Sequence, residues 1–409
     1  MNLLKLICFA NVLLILTGCA KKMETGQKVE GLSYIDQTPV SIEIADGKIK
    51  KISKMKALSG ENKNIYIAPG FIDGQVNGFA GVSFSFSGGS LTMEGIQKAT
   101  SALWEAGITT YLPTLTTNNQ DILLKNFALL AQAKENPDLL GSIPGFHLEG
   151  PYISPEDGFR GAHPVKYVRK PDWEEFMALY EASGKNILQV TVAPEVEGAM
   201  EFISRCHEMG IIVGLGHHNA SPEIINEAVS KGARIATHLG NGCANMINRH
   251  LNPFWPQLSD DRLMISIICD GFHLRPEEIN VFYKVKGPEK TILISDVTNY
   301  AGLTPGEYIT SEGDTVELTP EGMMIYPAQK VLYGSASPLT KGVGHIMEVT
   351  GCSLRQAIRM ASTNPAILYG LTDRGKIKPG MRADLILFTL NNYKIEILKT
   401  VVAGEVVYE

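Results

Sequence analysis

Glu149, His217 and His238 each close a short apolar run: "FHLE", "IIVGLGH" and "ARIATH". One carboxylate and two imidazoles from separate runs are three candidate ligands for a single divalent ion. Three protein ligands leave one coordination position open, as in a catalytic centre, whereas a closed structural site uses four. An ion held this way lowers the pKa of bound water toward neutrality and polarises a carbonyl. Asp296, at the end of "TILISD", is then placed to act as general base, taking the water's proton and returning it to the leaving group. Zn2+ suits the donor set best, and Fe2+, Co2+ and Mn2+ accept it too.

Other ionisable residues sit at comparable places: Asp73 in "FIDGQ", His147 in "FHLEG", Glu195 in "VAPE" and Asp270 in "ICDGFH". A single such residue is ordinarily a hydrogen-bonded core group. A whole series at the ends of apolar runs is costly to bury unless the ends face a mouth that uses them. His217 has a neighbour of its own type, His218. Adjacent side chains of extended backbone point to opposite faces, so one of the pair is expected at the site and the other outside it. His217 precedes His238 by one strand–helix–strand step, which makes it the ligand and His218 a structural neighbour.

The elements that must position these groups alternate. Eight apolar runs, "IYIAPGFIDGQ", "ITTYLPTL", "SIPGFHLEG", "ILQVTVAPE", "IIVGLGH", "ARIATHL", "ISIICD" and "TILISD", read as strands. Helical patterns separate several of them: "MEGIQKATSALWEAG", "DWEEFMALYEASG", "AMEFISRCHEMG" and "PEIINEAVSKG". The last follows Ser221, an N-cap residue before a proline at the first helical position. This alternation predicts an α/β fold, a (β/α)8 TIM-like barrel, with chemistry at the C-terminal ends of its strands. Both chain ends read as β: "VSIEIADGKIKKIS" carries a "DG" hairpin signal, and "ADLILFTL" and "KTVVAGEVVYE" follow at the far end. A small β-sandwich domain built from residues 26–67 and 376–409 is therefore expected beside a barrel over 68–375.

Charged residues make up 20% of the 409-residue chain and the net charge is −6, which excludes the basic footprint of a nucleic-acid binder. The first 18 residues have one lysine, an apolar stretch too short to span a bilayer, and then "LTGC" ending at Cys19. They read as a leader resembling that of bacterial lipoproteins, with Cys19 carrying the lipid. The expected location is the cell envelope, exported and lipid-anchored, with membrane contact through the anchor only. Cys206, Cys243, Cys269 and Cys352 are widely scattered, show no paired metal-ligand spacing, and read as mostly buried thiols.

Several stretches together resemble the amidohydrolase superfamily and, within it, the N-acetylglucosamine-6-phosphate deacetylase family. They are "PGFIDGQVNG" (69–78), "HLEGP" (147–151), "RGAHP" (160–164), "GHHNAS" (216–221), "ATHLGNG" (236–242), "DGFH" (270–273), "SDVT" (295–298), "GSAS" (334–337) and "GKIKPGMRADLILF" (375–388). The resemblance implies Glu149, His217 and His238 as ligands of one divalent metal ion per subunit and Asp296 as base. It implies that His163 polarises the substrate carbonyl, and that Asn241, Gly242 and His273 hold an N-acetyl amino sugar and its 6-phosphate. Arg249 would reach the phosphate of a neighbouring subunit, which implies a homodimer.

The chain departs from the wider superfamily pattern in two places. Gln75 and Asn77 stand where many members have two metal-binding histidines, and neutral amides are poor ligands. Gly240, Gly242 and Cys243 in "HLGNGCAN" are expected to leave the sugar-contacting wall smaller and more flexible. Three readings follow: hydrolysis of the N-acetyl group of N-acetylglucosamine 6-phosphate; the same chemistry on an unphosphorylated or cell-wall-derived amino sugar or another N-acyl compound; and a non-catalytic, lipid-anchored sugar-binding protein.

Overall fold

The computed structural model describes residues 21–22, 27–85, 91–310, 313–328 and 331–409. The expected leader at 1–18, Cys19 and residue 26 lie outside the described residues.

Eight parallel strands form the central sheet: β1 (Phe71–Val76), β2 (Ile108–Thr116), β3 (Phe146–Glu149), β4 (Ile187–Val192), β5 (Ile212–Leu215), β6 (Ala233–Ala236), β7 (Met264–Ile268) and β8 (Thr291–Ile294). They lie side by side in chain order. The seam between β1 and β8 closes just beyond their ends, where Val76 bridges Val297 and the Asn77 amide donates to the Val297 carbonyl at 2.8 Å. Val, Ile and Leu dominate these strands and their residues are almost wholly buried, as parallel strands covered on one face by helices must be.

The covering helices are α1 (Met93–Glu105), α2 (Gln120–Lys134), α3 (Trp173–Ala182), α4 (Ala199–Glu208), α5 (Pro222–Lys231), α6 (Phe254–Ser259), α7 (Pro276–Lys290) and α8 (Leu339–Thr350). Local chemistry sets their starts. Thr92, Asn119, Asp172 and Ser221 each accept a backbone N–H of the first turn, satisfying donors the helix leaves unpaired. The four helices anticipated from the sequence are α1, α3, α4 and α5. α7 escaped detection because its pattern is interrupted by Gly287–Pro288, where Gly287 takes a φ of +67°.

The run "IYIAPGFIDGQ" is shared between two sheets. Tyr66–Pro69 pairs antiparallel with 385–388, then Gly70 donates to the Asp384 carbonyl, and Phe71 begins β1. A Cβ on Gly70 would stand 2.2 Å from the Thr109 side chain, so only glycine lets the chain cross so close to β2. The chain's two ends do combine in one sheet, in the order 48–54, 39–45, 27–33, 66–69, 385–391, 394–402, 405–408 and 21–22. It is a single sheet with a core of its own that includes Val40, Ile42, Ile49, Leu385 and Val401. The Asp46–Gly47 turn meets the Ala403–Gly404 turn, with the Ala383 amide donating to the Gly47 carbonyl and that of Gly404 to the Ala383 carbonyl.

A further antiparallel sheet, 306–309, 315–318, 324–326 and 331–332, is inserted between β8 and α8. It has its own core of Tyr300, Val316, Leu318, Met324 and Tyr326. Nothing in the strand–helix alternation announced it, because its strands are two to four residues long.

Candidate metal and proton-transfer site

Glu149 is the last residue of β3, while His217, His238 and Asp296 each come two residues after β5, β6 and β8. Those three take left-handed backbone conformations, with φ of +53°, +33° and +53°. Non-glycine residues rarely adopt this region, and it breaks the in-out alternation of the strand just as the chain leaves the barrel. The result is a set of side chains gathered over the mouth.

The Glu149 Oε1 atom lies 2.8 Å from His238 Nε2 and 3.4 Å from His217 Nε2. The three candidate ligand atoms all lie within 4.8 Å of one another. The His217 Nδ1–H donates to the Phe159 carbonyl at 3.0 Å, which orients the ring and leaves the Nε2 lone pair for an ion. Burial pushes the Glu149 carboxyl up, but hydrogen bonds and charge from His217 and His238 overcome this and hold it well below the usual range. Burial pulls His238 down and the Glu149 carboxylate more than compensates, raising it. An anionic carboxylate between two imidazoles is a donor set that fits a divalent metal.

Asp296 adjoins this cluster. Its Oδ1 accepts from Gln75 Nε2 at 2.9 Å and from Asn77 Nδ2 at 2.7 Å. Burial and the nearby Glu149 charge push the Asp296 carboxyl up to about 6, a value suited to exchanging a proton near neutral pH. His163, from the loop after β3, stacks its ring edgewise on His217 with centroids 4.3 Å apart. Its Nδ1 lies 2.8 Å from Thr117 Oγ1. Burial and the neighbouring His217 hold it at about 3, so it is neutral.

These groups line one cavity of 370 Å³ together with Asn241, Gly242, Cys243, His273, Thr298, Asn299 and Tyr333. Asn241 has a buried Nδ2 with no partner among the described residues, a donor left for a bound molecule. His273 Nδ1 pairs with Asp270 Oδ2 at 2.8 Å. Burial raises the Asp270 carboxyl, yet the hydrogen bonds from His273 bring it down to about 2. Gly242 has a φ of +57°, and a Cβ there would lie 2.6 Å from His217 Nδ1. Gly240 is equally confined, its Cβ position lying 2.5 Å from the Leu274 side chain. The two glycines are thus demanded by close packing, which differs from the slack wall expected of them.

The other ionisable residues expected at strand ends do not line the cavity, and Asp73 and His147 lie within β1 and β3 rather than at their ends. Asp73 lies beneath Gln75, accepting from the Gln75 and Ser295 amides, and burial pushes it up to about 7. His147 points into the barrel, with Nε2 2.8 Å from Thr191 Oγ1, and burial holds it at about 4. Glu195 accepts the Asn219 amide at 2.6 Å. His218 does not line this cavity; it is buried near Pro253, Phe254 and Gln257, and burial holds it at about 4. Cys206, Cys269 and Cys352 are buried thiols and Cys243 is half-buried. Arg249 lies on an exposed loop outside the cavity. Thr117, Tyr333 and Asn299 escaped the sequence reading, because they belong to loops and to the inserted sheet, where no periodicity marks a facing direction.

The chain matches the model of the amidohydrolase family over residues 66–407. It is 32% identical over 354 residues to the N-acetylglucosamine-6-phosphate deacetylase of Bos taurus, covering 84% of this chain and 83% of that one. Among solved structures it is similar to the N-acetylglucosamine-6-phosphate deacetylase of Thermotoga maritima, with a TM-score of 0.81, 28% identity, and 94% and 100% of the two chains covered. It is also similar to a variant of the Mycobacterium smegmatis enzyme in complex with N-acetyl-D-glucosamine 6-phosphate, with a TM-score of 0.83, 25% identity, and coverage of 94% and 100%. With its barrel, its terminal sheet and its one-carboxylate, two-imidazole mouth, the chain belongs to the amidohydrolase family.

Proposed function

We propose that this protein is a metal-dependent hydrolase that removes the N-acetyl group of N-acetyl-D-glucosamine 6-phosphate, giving glucosamine 6-phosphate and acetate. The observation that carries this reading is the convergence of Glu149, His217 and His238 with Asp296 in one cavity. Glu149, His217 and His238 would hold one divalent ion, Zn2+ by preference, with Fe2+, Co2+ or Mn2+ as substitutes. When bound, that ion supplies Lewis acidity toward water and the acyl oxygen.

The chain's own residues do the rest. The free Oδ2 of Asp296 takes a proton from water as its oxygen attacks the acetyl carbon. The same oxygen then gives that proton to the departing nitrogen, so that the C–N bond breaks as an amine leaves. With Thr117 donating its hydroxyl proton to Nδ1, neutral His163 presents Nε2–H to the acyl oxygen as negative charge builds there. Asn241, the backbone at Gly242 and His273 hold the sugar and its phosphate. Arg249 completes the phosphate site of a second copy in a homodimer, its guanidinium offering a forked donor to the oxyanion. Support for the dimer is that Met246 and Leu251 on the same loop, and Trp255 at the start of α6 just after it, are 88%, 58% and 56% exposed.

The leader reading at 1–18 with lipidation at Cys19 would place the enzyme at the bacterial cell envelope. Among the described residues no helix is long and apolar enough to cross a membrane. An envelope location favours a second substrate, an unphosphorylated or cell-wall-derived N-acetyl amino sugar. Acetate release from N-acetylglucosamine 6-phosphate, from N-acetylglucosamine and from N-acetylmuramic acid decides between them. Preference for the phosphorylated sugar, lost in Arg249→Ala, supports the proposal; no release from any of the three overturns it. Cys19→Ser should move the protein from the membrane to the soluble fraction.

A further inference from the structure

We infer that the side-chain amides of Gln75 and Asn77 are positioning residues that lock the Asp296 carboxylate by one oxygen and so deliver the other to the reaction. Both nitrogens converge on Oδ1, at 2.9 and 2.7 Å, and among the described residues no donor reaches Oδ2. The orientation of the amides is dictated by charge. Turned over, each would aim its own oxygen at a carboxylate. As they stand, Gln75 Oε1 and Asn77 Oδ1 are buried with no partner among the described residues, a cost accepted on both side chains so that both N–H groups meet Asp296.

The backbone holds the clamp in register with the base. The Asp296 amide donates to the Gln75 carbonyl at 3.1 Å, and the Asn77 amide to the Val297 carbonyl at 2.8 Å. Gln75 and Asn77 lie two apart on β1 and its extension, and both side chains reach the same Asp296 oxygen. The seam that closes the barrel is thus also the joint that fixes the base. Two hydrogen bonds to one oxygen set the plane of the carboxylate. A single one would leave it free to turn about its χ2 bond, which has broad minima. Asp296 also sits beside the Glu149 carboxylate, so an unclamped carboxylate would swing away from the like charge, and the amides prevent this. Gln75 carries a second duty, since the same nitrogen donates to Glu149 Oε1 at 2.9 Å. Asn77 touches only Asp296 within the cluster and is the cleaner probe.

This inference rests on the deacetylase reading, and its test separates the two. Asn77→Ala, loaded with metal, should lose about 10- to 100-fold in kcat, the cost of one charge-assisted hydrogen bond in the transition state. KM and the metal content per subunit should stay within about twofold of the parent protein. Asn77→Ser, whose hydroxyl can still donate, should recover part of the loss. In an Asp296→Asn background Asn77→Ala should cost nothing further, because a residue acting through another has no effect once that other is gone. A crystal structure of Asn77→Ala should show the Asp296 carboxylate rotated or in more than one conformer. That last measurement needs no turnover, so it judges the clamp even if acetate release fails for every sugar tested. An Asp296 carboxylate unmoved in that structure, or a full additional loss in the Asp296→Asn background, would overturn the inference.

Discussion

Glu149 and Asp296 share one hydrogen-bond donor: the Gln75 side-chain nitrogen lies 2.9 Å from an oxygen of each. Glu149 belongs to the candidate ligand cluster and Asp296 is the proposed base, and a neutral amide spaces the two. Their environments drive them apart, since two imidazoles hold Glu149 down while burial and the Glu149 charge raise Asp296. Such a pair divides labour between permanent charge and exchangeable proton.

Asp296→Asn removes acceptor and donor of the proton together. The variant should keep its metal and lose about 10²- to 10⁴-fold in kcat. Acetate release and elemental analysis on the same sample check both halves, and a near-parental rate would remove Asp296 from the role of base.

Glu149→Gln, His217→Ala and His238→Ala should each bind less metal. Elemental analysis should find one ion per subunit in the parent protein and a fraction of that in the variants. Because an ion bound only by the folded chain stabilises it, treatment with a chelator should lower Tm in the parent, by the equivalent of about 4 kcal/mol if the ion was at a thousandfold excess over its Kd. The three variants should show a smaller shift, measured by calorimetry.

Gly242→Ala introduces a methyl group 2.6 Å from His217 Nδ1 at a φ of +57°. The added Cβ should displace the His217 ring from the Phe159 carbonyl. Disturbing the partner that orients a metal ligand weakens binding by about 10- to 100-fold. A competition titration with a fluorescent chelator reads this directly, and the variant should remain folded by circular dichroism.

His147 and His218 are buried and neutral, each held at about 4 against an ordinary value near 6.5. The unfolded chain therefore binds more protons than the folded one between these values. Stability contributed by the neutral rings is complete above the ordinary histidine value and falls as pH drops from there toward about 4. Urea unfolding at a series of pH values should show this slope. It should be shallower in His218→Gln, which cannot take up the proton in the unfolded state.

Much of this was legible in the chain before any coordinates. The apolar runs ending in Glu149, His217, His238 and Asp296 announced a barrel mouth, because parallel strands covered by helices are mostly apolar and their ionisable groups gather where the chain leaves the barrel. Ser221–Pro222 announced the start of α5. The ambiguity of His217 and His218 was resolved in principle by strand alternation, although the backbone reaches the answer through a left-handed turn that alternation does not contain. The inserted sheet over 306–332 was not legible, since strands of two to four residues have too few positions to show a period.

The chain alone determined which residue types stand at the ends of which strands, and so the chemistry available: one carboxylate, two imidazoles, a base. Only the tertiary structure decided what each strand-end group does, because that depends on neighbours remote in sequence. Asp73 and Asp296 look alike in "FIDGQ" and "LISDV". Yet Asp73 accepts backbone amides beneath the site, while Asp296 lines the cavity, clamped by residues 221 and 219 positions away. Hydrogen-bond partners across a closed barrel are set by where the seam joins, and no local pattern of residues encodes that distance.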